Sequence, residues 1–95
     1  GYSNVAIGFA AMLGATTADR CVGIGANALD AALTGNDNTA VGNEAGSSIT
    51  AGTNNTALGS YALRYATDVS DNTGIGKSAL TNTTGAANTA VGSIA

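Results

Sequence analysis

The sequence contains no proline, tryptophan or histidine, and it has a single cysteine, Cys21. With one cysteine, neither an internal disulfide nor a thiolate metal cluster can form. Without histidine, the chain lacks the most common general base and transition-metal ligand. So few residues are suited to chemistry that we expect no enzyme activity, no cofactor and no metal site.

Charge is also scarce, because charged residues make up 9% of the 95 residues and the formal net charge is −3. The basic residues are Arg20, Arg64 and Lys77, too few for the basic patch that binding to nucleic acid or to an anionic membrane requires. No apolar run approaches the ~20 residues of a membrane-spanning helix. We therefore expect no nucleic-acid partner and no membrane insertion.

What the sequence does contain is an internal repeat, marked by an aliphatic residue followed by glycine. The glycines lie 17 residues apart four times and 16 residues apart once. We call the two positions the aliphatic column and the glycine column. The pairs are Ile7-Gly8, Ile24-Gly25, Val41-Gly42, Leu58-Gly59, Ile75-Gly76 and Val91-Gly92.

Four further positions of the unit recur. Asparagine lies three residues before the aliphatic residue in five of six units, with Cys21 in the second; this asparagine column is Asn4, Asn38, Asn55, Asn72 and Asn88. A threonine column follows it, with Val5, Val22, Thr39, Thr56, Thr73 and Thr89, and then a small column, with Ala6, Gly23, Ala40, Ala57, Gly74 and Ala90. The alanine column lies three residues after the glycine: Ala11, Ala28, Ala45, Ala62, Ala79 and Ala95.

A unit of 17 residues is too short for the helical arrays, whose periods are about 33 to 47 residues. It suits one coil of a parallel β-solenoid, a β-roll, and predicts an all-β fold. The segment from Ala26 to Leu33 favours helix locally, but the period of all six units outweighs it, with a single helical turn left open. Residues 1–95 then form one array of about five and a half coils, which we expect to be a segment of a longer shaft.

Alternation along the strand places the threonine and aliphatic columns on one side and the asparagine, small and glycine columns on the other. We expect the first side to form the core and the second to form a smooth outer stripe that packs against another copy. The alanine column is expected where only a methyl group fits.

The asparagine and glycine columns each have two interpretations. The asparagines either bond amide to amide between coils or are simply turn residues before a strand. The glycines either adopt positive φ or permit the backbone of another chain to approach.

The segments Asn38–Gly42, Asn55–Leu63 and Asn88–Gly92 resemble repeats of phage tail-fibre proteins and related bacterial surface proteins. Asn4–Gly8 resembles the head repeat of trimeric autotransporter adhesins, which reads Ser-Val-Ala-Ile-Gly. The resemblance implies a left-handed roll with three chains side by side, in an extracellular fibre on a virion or cell surface. It also implies receptor binding through a tip domain elsewhere in the fibre. The 17-residue unit is longer than that of the adhesin heads.

The remaining candidate residues have plain explanations. The acids Asp19, Asp30, Asp37, Glu44, Asp68 and Asp71 fall at variable positions that suit solvated surface. Cys21 suits a small packed residue. The cluster of Tyr61, Arg64 and Tyr65 suits surface or interface packing, with contact to a sugar as the alternative.

The leading functional hypothesis is a structural fibre or adhesin shaft segment without catalysis, which associates with copies of itself as a homotrimer or another filament. The alternative is an ice-binding or carbohydrate-binding solenoid, because such proteins display flat threonine arrays. We expect the threonine column to be shared with the core, which weighs against ice binding.

Overall fold

A computed structural model describes all 95 residues as a parallel β-solenoid. Six strands of three residues form one sheet in chain order, each parallel to the next. The strands are β1 (Val5–Ile7), β2 (Val22–Ile24), β3 (Thr39–Val41), β4 (Thr56–Leu58), β5 (Thr73–Ile75) and β6 (Thr89–Val91). The all-β fold and the 17-residue coil predicted from the repeat are confirmed.

The register follows the repeat position by position. Val22 pairs with Thr39, and Thr39 with Thr56; Thr73 pairs with Thr89 across the 16-residue unit. Each column of the sequence is therefore a file of stacked residues. We number the coils from the asparagine position: coil 1 is 4–20, coil 2 is 21–37, coil 3 is 38–54, coil 4 is 55–71, coil 5 is 72–87 and coil 6 is 88–95.

Hydrogen bonds between coils extend well beyond the short strands. Of 57 backbone hydrogen bonds, only 10 lie within the sheet strands. Away from the sheet, Leu29 N donates to Ala45 O at 3.1 Å and Thr34 N donates to Thr50 O at 2.9 Å. The segment from Ala26 to Leu33 takes part in this pattern as turns and bends, and the structure contains no helix. It accordingly has no helix that could cross a membrane.

The first interpretation of the glycine column, positive φ, is confirmed, and the second, close approach of a backbone, holds in a different form. Its residues have φ between 122° and 135°, where a side chain is strained. A Cβ on Gly42 would lie 2.6 Å from the carbonyl carbon of Gly59. The backbone that approaches so closely belongs to the next coil of the same chain and not, as in the second interpretation, to another chain.

The assignment of inside and outside is opposite to the prediction. Asn38, Asn55 and Asn72 are buried, and so are Ala40 and Ala57 of the small column. The aliphatic column faces outward: Ile7, Leu58 and Val91 are exposed, and Ile24, Val41 and Ile75 are half-buried. The core ladder and the smooth outer stripe predicted from the sequence are therefore both wrong, although the alternation itself is right.

The narrowness of the roll explains this inversion. A Cβ on Gly23 would lie 2.7 Å from Met12 Cγ, and one on Gly74 would lie 2.9 Å from the carbonyl oxygen of Ala79. The space directly behind the strands is already filled by the opposite wall and by side chains from it, such as Met12, so only glycine and alanine fit in the small column. The branched aliphatic side chains of the strands therefore point away, whereas Leu29, Leu33, Ile49 and Leu63, which lie elsewhere in their coils, are buried.

The apolar interior consists mainly of alanines with a few large residues. The alanine column is buried from Ala28 to Ala79, at 0% exposure in each of these four coils, while Ala11 is half-buried and Ala95 is exposed. Leu29 and Leu63 occupy the next position of their coils, where coil 3 has Gly46. A Cβ on Gly46 would meet both Ile49 Cδ1 and Leu29 Cδ2 at 3.0 Å, so Ile49 fills the space that a leucine occupies in the neighbouring coils.

Candidate functional site: the outward face and the asparagine ladder

The outward side of the sheet presents a continuous apolar surface with polar edges. Its middle consists of the threonine column and the aliphatic column, neither of which contains a charged residue. We call these twelve side chains the apolar face. Leu58 is 44% exposed and Ile7 is 58% exposed. Contiguous exposed apolar patches of this kind mark surfaces that associate with something else.

Two columns border the apolar face, the first exposed throughout and the second exposed except at Ala26 and Ser60, which are half-buried. The residue before each asparagine position forms one border: Ser3, Arg20, Asp37, Asn54, Asp71 and Ala87. The residue after each glycine forms the other: Phe9, Ala26, Asn43, Ser60, Lys77 and Ser93. We call them the acidic border and the lysine border, after the residues that distinguish them. All charged residues of this side of the sheet thus lie in its borders, and its centre carries only aliphatic and threonine side chains.

An ion pair within the acidic border shows that its side chains align from coil to coil. Arg20 Nε donates to Asp37 Oδ1 at 2.7 Å, and Arg20 Nη2 donates to Asp37 Oδ2 at 2.9 Å. The hydrogen bonds from Arg20 hold the pKa of the Asp37 carboxyl below its usual range. Because both side chains are solvated, the pair contributes little stability.

Behind the sheet, each buried asparagine joins two coils. Asn55 Oδ1 accepts from the backbone N–H of Asn72 at 3.1 Å, and Asn55 Nδ2 donates to the carbonyl of Val69 at 2.7 Å. Asn38 does the same with Asn55 N at 3.0 Å and Gly52 O at 2.8 Å. An amide side chain offers both a donor and an acceptor, so one residue satisfies two buried backbone groups.

Direct amide-to-amide bonding, the first interpretation of the asparagine column, occurs at one step only. Asn55 Nδ2 lies 3.1 Å from Asn38 Oδ1. The ladder consists mainly of side-chain-to-backbone bonds, and its residues are interior where we had expected them outside. Asn4 and Asn88 lie at the ends of the stack and are exposed, yet each takes part: Asn4 Oδ1 accepts from Cys21 N, and Asn88 N donates to Asn72 Oδ1.

Cys21 interrupts this ladder. Its sulfur lies 3.5 Å from the carbonyl oxygen of Gly35, the position to which an asparagine Nδ2 donates at 2.7–2.9 Å in the other coils. Burial raises the pKa of the Cys21 thiol, and the hydrogen bond offered by the Asn38 backbone opposes that rise only in part. The thiol is a weak substitute for the amide, and its environment is one in which cysteines are inert.

A second side-chain ladder escaped the sequence analysis. Asp19 Oδ1 accepts from Tyr2 N at 2.6 Å, Asn36 Oδ1 accepts from Asp19 N at 2.9 Å, and Ser70 Oγ accepts from Thr53 N at 3.0 Å. These residues lie two positions before the asparagine column. The available signal was the run of short side chains with oxygen acceptors at this position in four successive units.

In the aromatic cluster, the arginine side chain lies over the rings of both tyrosines. The Arg64 guanidinium carbon lies 4.9 Å from the Tyr61 ring centroid and 4.8 Å from the Tyr65 ring centroid. Arg64 Nη2 also lies 2.9 Å from Glu44 Oε1 in the preceding coil. With the guanidinium engaged on three sides, the cluster ties coil 3 to coil 4, as the packing interpretation expected.

The other acids are dispersed over the surface and two of them accept local hydrogen bonds. Asp30 accepts from Asn27 Nδ2 and Asp68 accepts from Thr50 Oγ1, each at 2.7 Å. No group of three or more acids, cysteines or histidines is placed to hold a metal ion, and the structure has no ligand-sized pocket.

Comparison with protein-family models, with curated proteins and with solved structures finds no match for this chain. The geometry described above is therefore the basis of the functional proposal.

Replacing Asn55 by alanine tests the ladder. We expect Asn55→Ala to leave the Asn72 N–H and the Val69 carbonyl unpaired in the interior, and to lower the free energy of unfolding by roughly 2–5 kcal/mol in a urea titration. Asn82→Ala, at an exposed position, is the matched control and should change it by less than about 0.5 kcal/mol. Equal effects of the two substitutions would contradict the role of the buried amide.

Restoring the missing amide tests the interruption at Cys21. In Cys21→Asn, the new Nδ2 reaches the Gly35 carbonyl and the new Oδ1 reaches the Asn38 N–H. We expect a gain of about 0.5–1.5 kcal/mol in the free energy of unfolding, measured by thermal melting monitored by circular dichroism. Cys21→Ala, which offers neither group, should lower it, and a melting temperature of Cys21→Asn at or below that of Cys21→Ala would refute the account.

Proposed function

We propose that the chain is a structural shaft segment of an extracellular fibre, of the phage tail-fibre or bacterial surface-filament kind. In this proposal, copies pack side by side as a homotrimer through the apolar face. The observation that carries it is the outward-facing aliphatic column, in which Ile7, Leu58 and Val91 are exposed and the other three residues are half-buried. Complete burial of an exposed side chain of this size against a partner contributes roughly 1.5–3 kcal/mol, and a half-buried one contributes less.

A second copy is the occupant that suits this face best. The face runs straight along the stack and repeats at each coil, about 4.8 Å apart, so a copy of the same chain presents side chains at the same spacing. When the side-chain columns of two copies have equal spacing, each coil of one copy can make a similar contact with a coil of the other. The resemblance of the repeats to tail-fibre and adhesin sequences points to the same arrangement.

The hydrogen-bonding pattern supports a mechanical role. Ladders around each coil and the buried asparagines hold every coil to its neighbours at several points of its circumference. A stack held in this way resists bending without a large apolar core. Receptor binding, in this proposal, belongs to another part of the fibre.

A charge placed on the apolar face tests the self-association. We expect Leu58→Asp to weaken association at least tenfold in sedimentation velocity, because a carboxylate cannot be buried unpaired between copies. Since the Leu58 side chain points away from the interior, the far-ultraviolet dichroism should stay unchanged. Thr67→Asp, exposed and off the face, is the control with the same charge and should associate like the parent chain. Loss of dichroism in Leu58→Asp would mean that this column is interior.

Ice binding is a second candidate because the threonine column is not part of the core, although each strand carries one threonine and an aliphatic residue rather than two threonines. The threonine column faces outward on a parallel sheet: Thr39, Thr56 and Thr73 are half-buried and Thr89 is exposed. A flat file of hydroxyl and methyl groups with regular spacing is a surface on which ordered water can be held.

Thermal hysteresis distinguishes this candidate from the shaft. An ice-binding face would give measurable hysteresis at millimolar concentration that is abolished in Thr56→Lys. No hysteresis from the parent chain at that concentration would exclude ice binding and leave the shaft as the proposal.

A further inference from the structure

The nine charged side chains are not equally engaged. Three basic and six acidic residues are present, and seven of them form ion pairs or hydrogen bonds within the chain: Arg20, Asp37, Arg64, Glu44, Asp19, Asp30 and Asp68. The remaining two are Asp71 and Lys77. They have opposite charge, both are exposed, and their side chains make no polar contact in the structure.

The positions of these two residues are complementary. Asp71 lies on the acidic border of the apolar face and Lys77 lies on the lysine border, on the two sides of β5. The columns of Thr73 and Ile75 separate them, and no ion pair joins them within the chain. They are therefore placed at one height of the stack on opposite edges of the surface that we propose as the interface.

We propose that Asp71 of one copy pairs with Lys77 of the next, and that this pair sets the copies parallel and in register. The inference rests on the proposed self-association through the apolar face. When copies surround an axis parallel to the stack, the acidic border of each meets the lysine border of its neighbour. With the copies level, Asp71 and Lys77 then meet at every contact between neighbours.

Other arrangements lose the pair. If one copy shifts by one coil, Lys77 faces Asn54 or Ala87, neither of which carries charge. If it shifts by two coils towards β1, Lys77 faces Asp37, whose carboxylate is already held by Arg20. In an antiparallel arrangement like borders meet: the lysine border contains no acid, and Arg20, the base of the acidic border, is already held by Asp37. The equal spacing of the coils lets the apolar columns of two copies fit together in every register, so the charge pair adds a preference for the level one.

Charge exchange tests the pair. We expect Asp71→Lys and Lys77→Asp each to weaken self-association by about two- to fivefold per contact at low salt, with the loss fading at high ionic strength. The chain carrying both substitutions should recover the affinity of the parent to within about twofold. Asp68→Lys, which makes the same change of charge off the face, is the control and should associate like the parent.

The outcomes separate the two proposals. If the single variants match Asp68→Lys, or if the double variant fails to recover, the pair is overturned while side-by-side association stands. If the parent chain is monomeric at every concentration, the proposed association fails and the pair fails with it.

Cross-linking reports the geometry directly. An Asp71→Cys chain mixed with a Lys77→Cys chain should form disulfide-linked dimers on mild oxidation, whereas each variant alone should form few, because like borders do not meet. The native Cys21 is buried, and the parent chain under the same oxidation is the blank. Cross-linking of each variant alone as efficiently as the mixture would overturn the parallel arrangement.

Discussion

The structure depends on the pairing of buried backbone groups at the inner corner of each coil. There, the N–H group that begins one coil and the carbonyl of a neighbouring loop lie out of reach of water, and leaving either unpaired would cost about 1–3 kcal/mol. The asparagine amide supplies both missing partners, as Asn55 does for Asn72 and Val69. Because the amide lies flat in a narrow space, it requires small neighbours, and that requirement fixes the composition of the interior.

The narrow cross-section of each coil also determines which side chains the outer side of the sheet displays. Behind the strands the space is taken up by alanine, glycine and asparagine and by side chains from the opposite wall, so the valines, isoleucines and leucines of the strands project outward. The same constraint that closes each coil therefore creates the apolar surface on which the proposed association depends. Folding and the proposed association therefore both depend on the cross-section of a single coil.

Periodicity in the sequence was sufficient to predict the fold and the register. Coils that stack in register need nearly the same number of residues, and the spacing of the glycines gives that number. Alternation was also sufficient to sort the residues into two faces. Which face is interior could not be read from hydrophobicity, since the rule that apolar residues lie inside assumes a core thick enough to hold them. One signal was present: the inner columns are uniform in size, as in Ala40 and Ala57, while the outer column varies among Ile, Val and Leu.

Other features had no sequence signal that we can identify. Leu29, Leu63 and Leu80 adopt positive φ, between 50° and 51°, a conformation that is rare for leucine. The geometry of the coil imposes it, because the alanine before each leucine and the leucine itself must both contribute to the interior around a tight corner. Intrinsic preference, as in the helix-favouring segment from Ala26 to Leu33, yields to the contacts of the whole stack.

Neighbouring coils repeat most of their backbone bonds along the stack, and the 16-residue coil 5 shows that a unit can lose one residue without disturbing the pairing of β5 with β6. The length of the solenoid can therefore be changed by adding or removing whole units, in increments of about 4.8 Å, while its cross-section stays the same. Duplication of a short stretch of coding sequence would lengthen such a rod without the redesign of any existing bond.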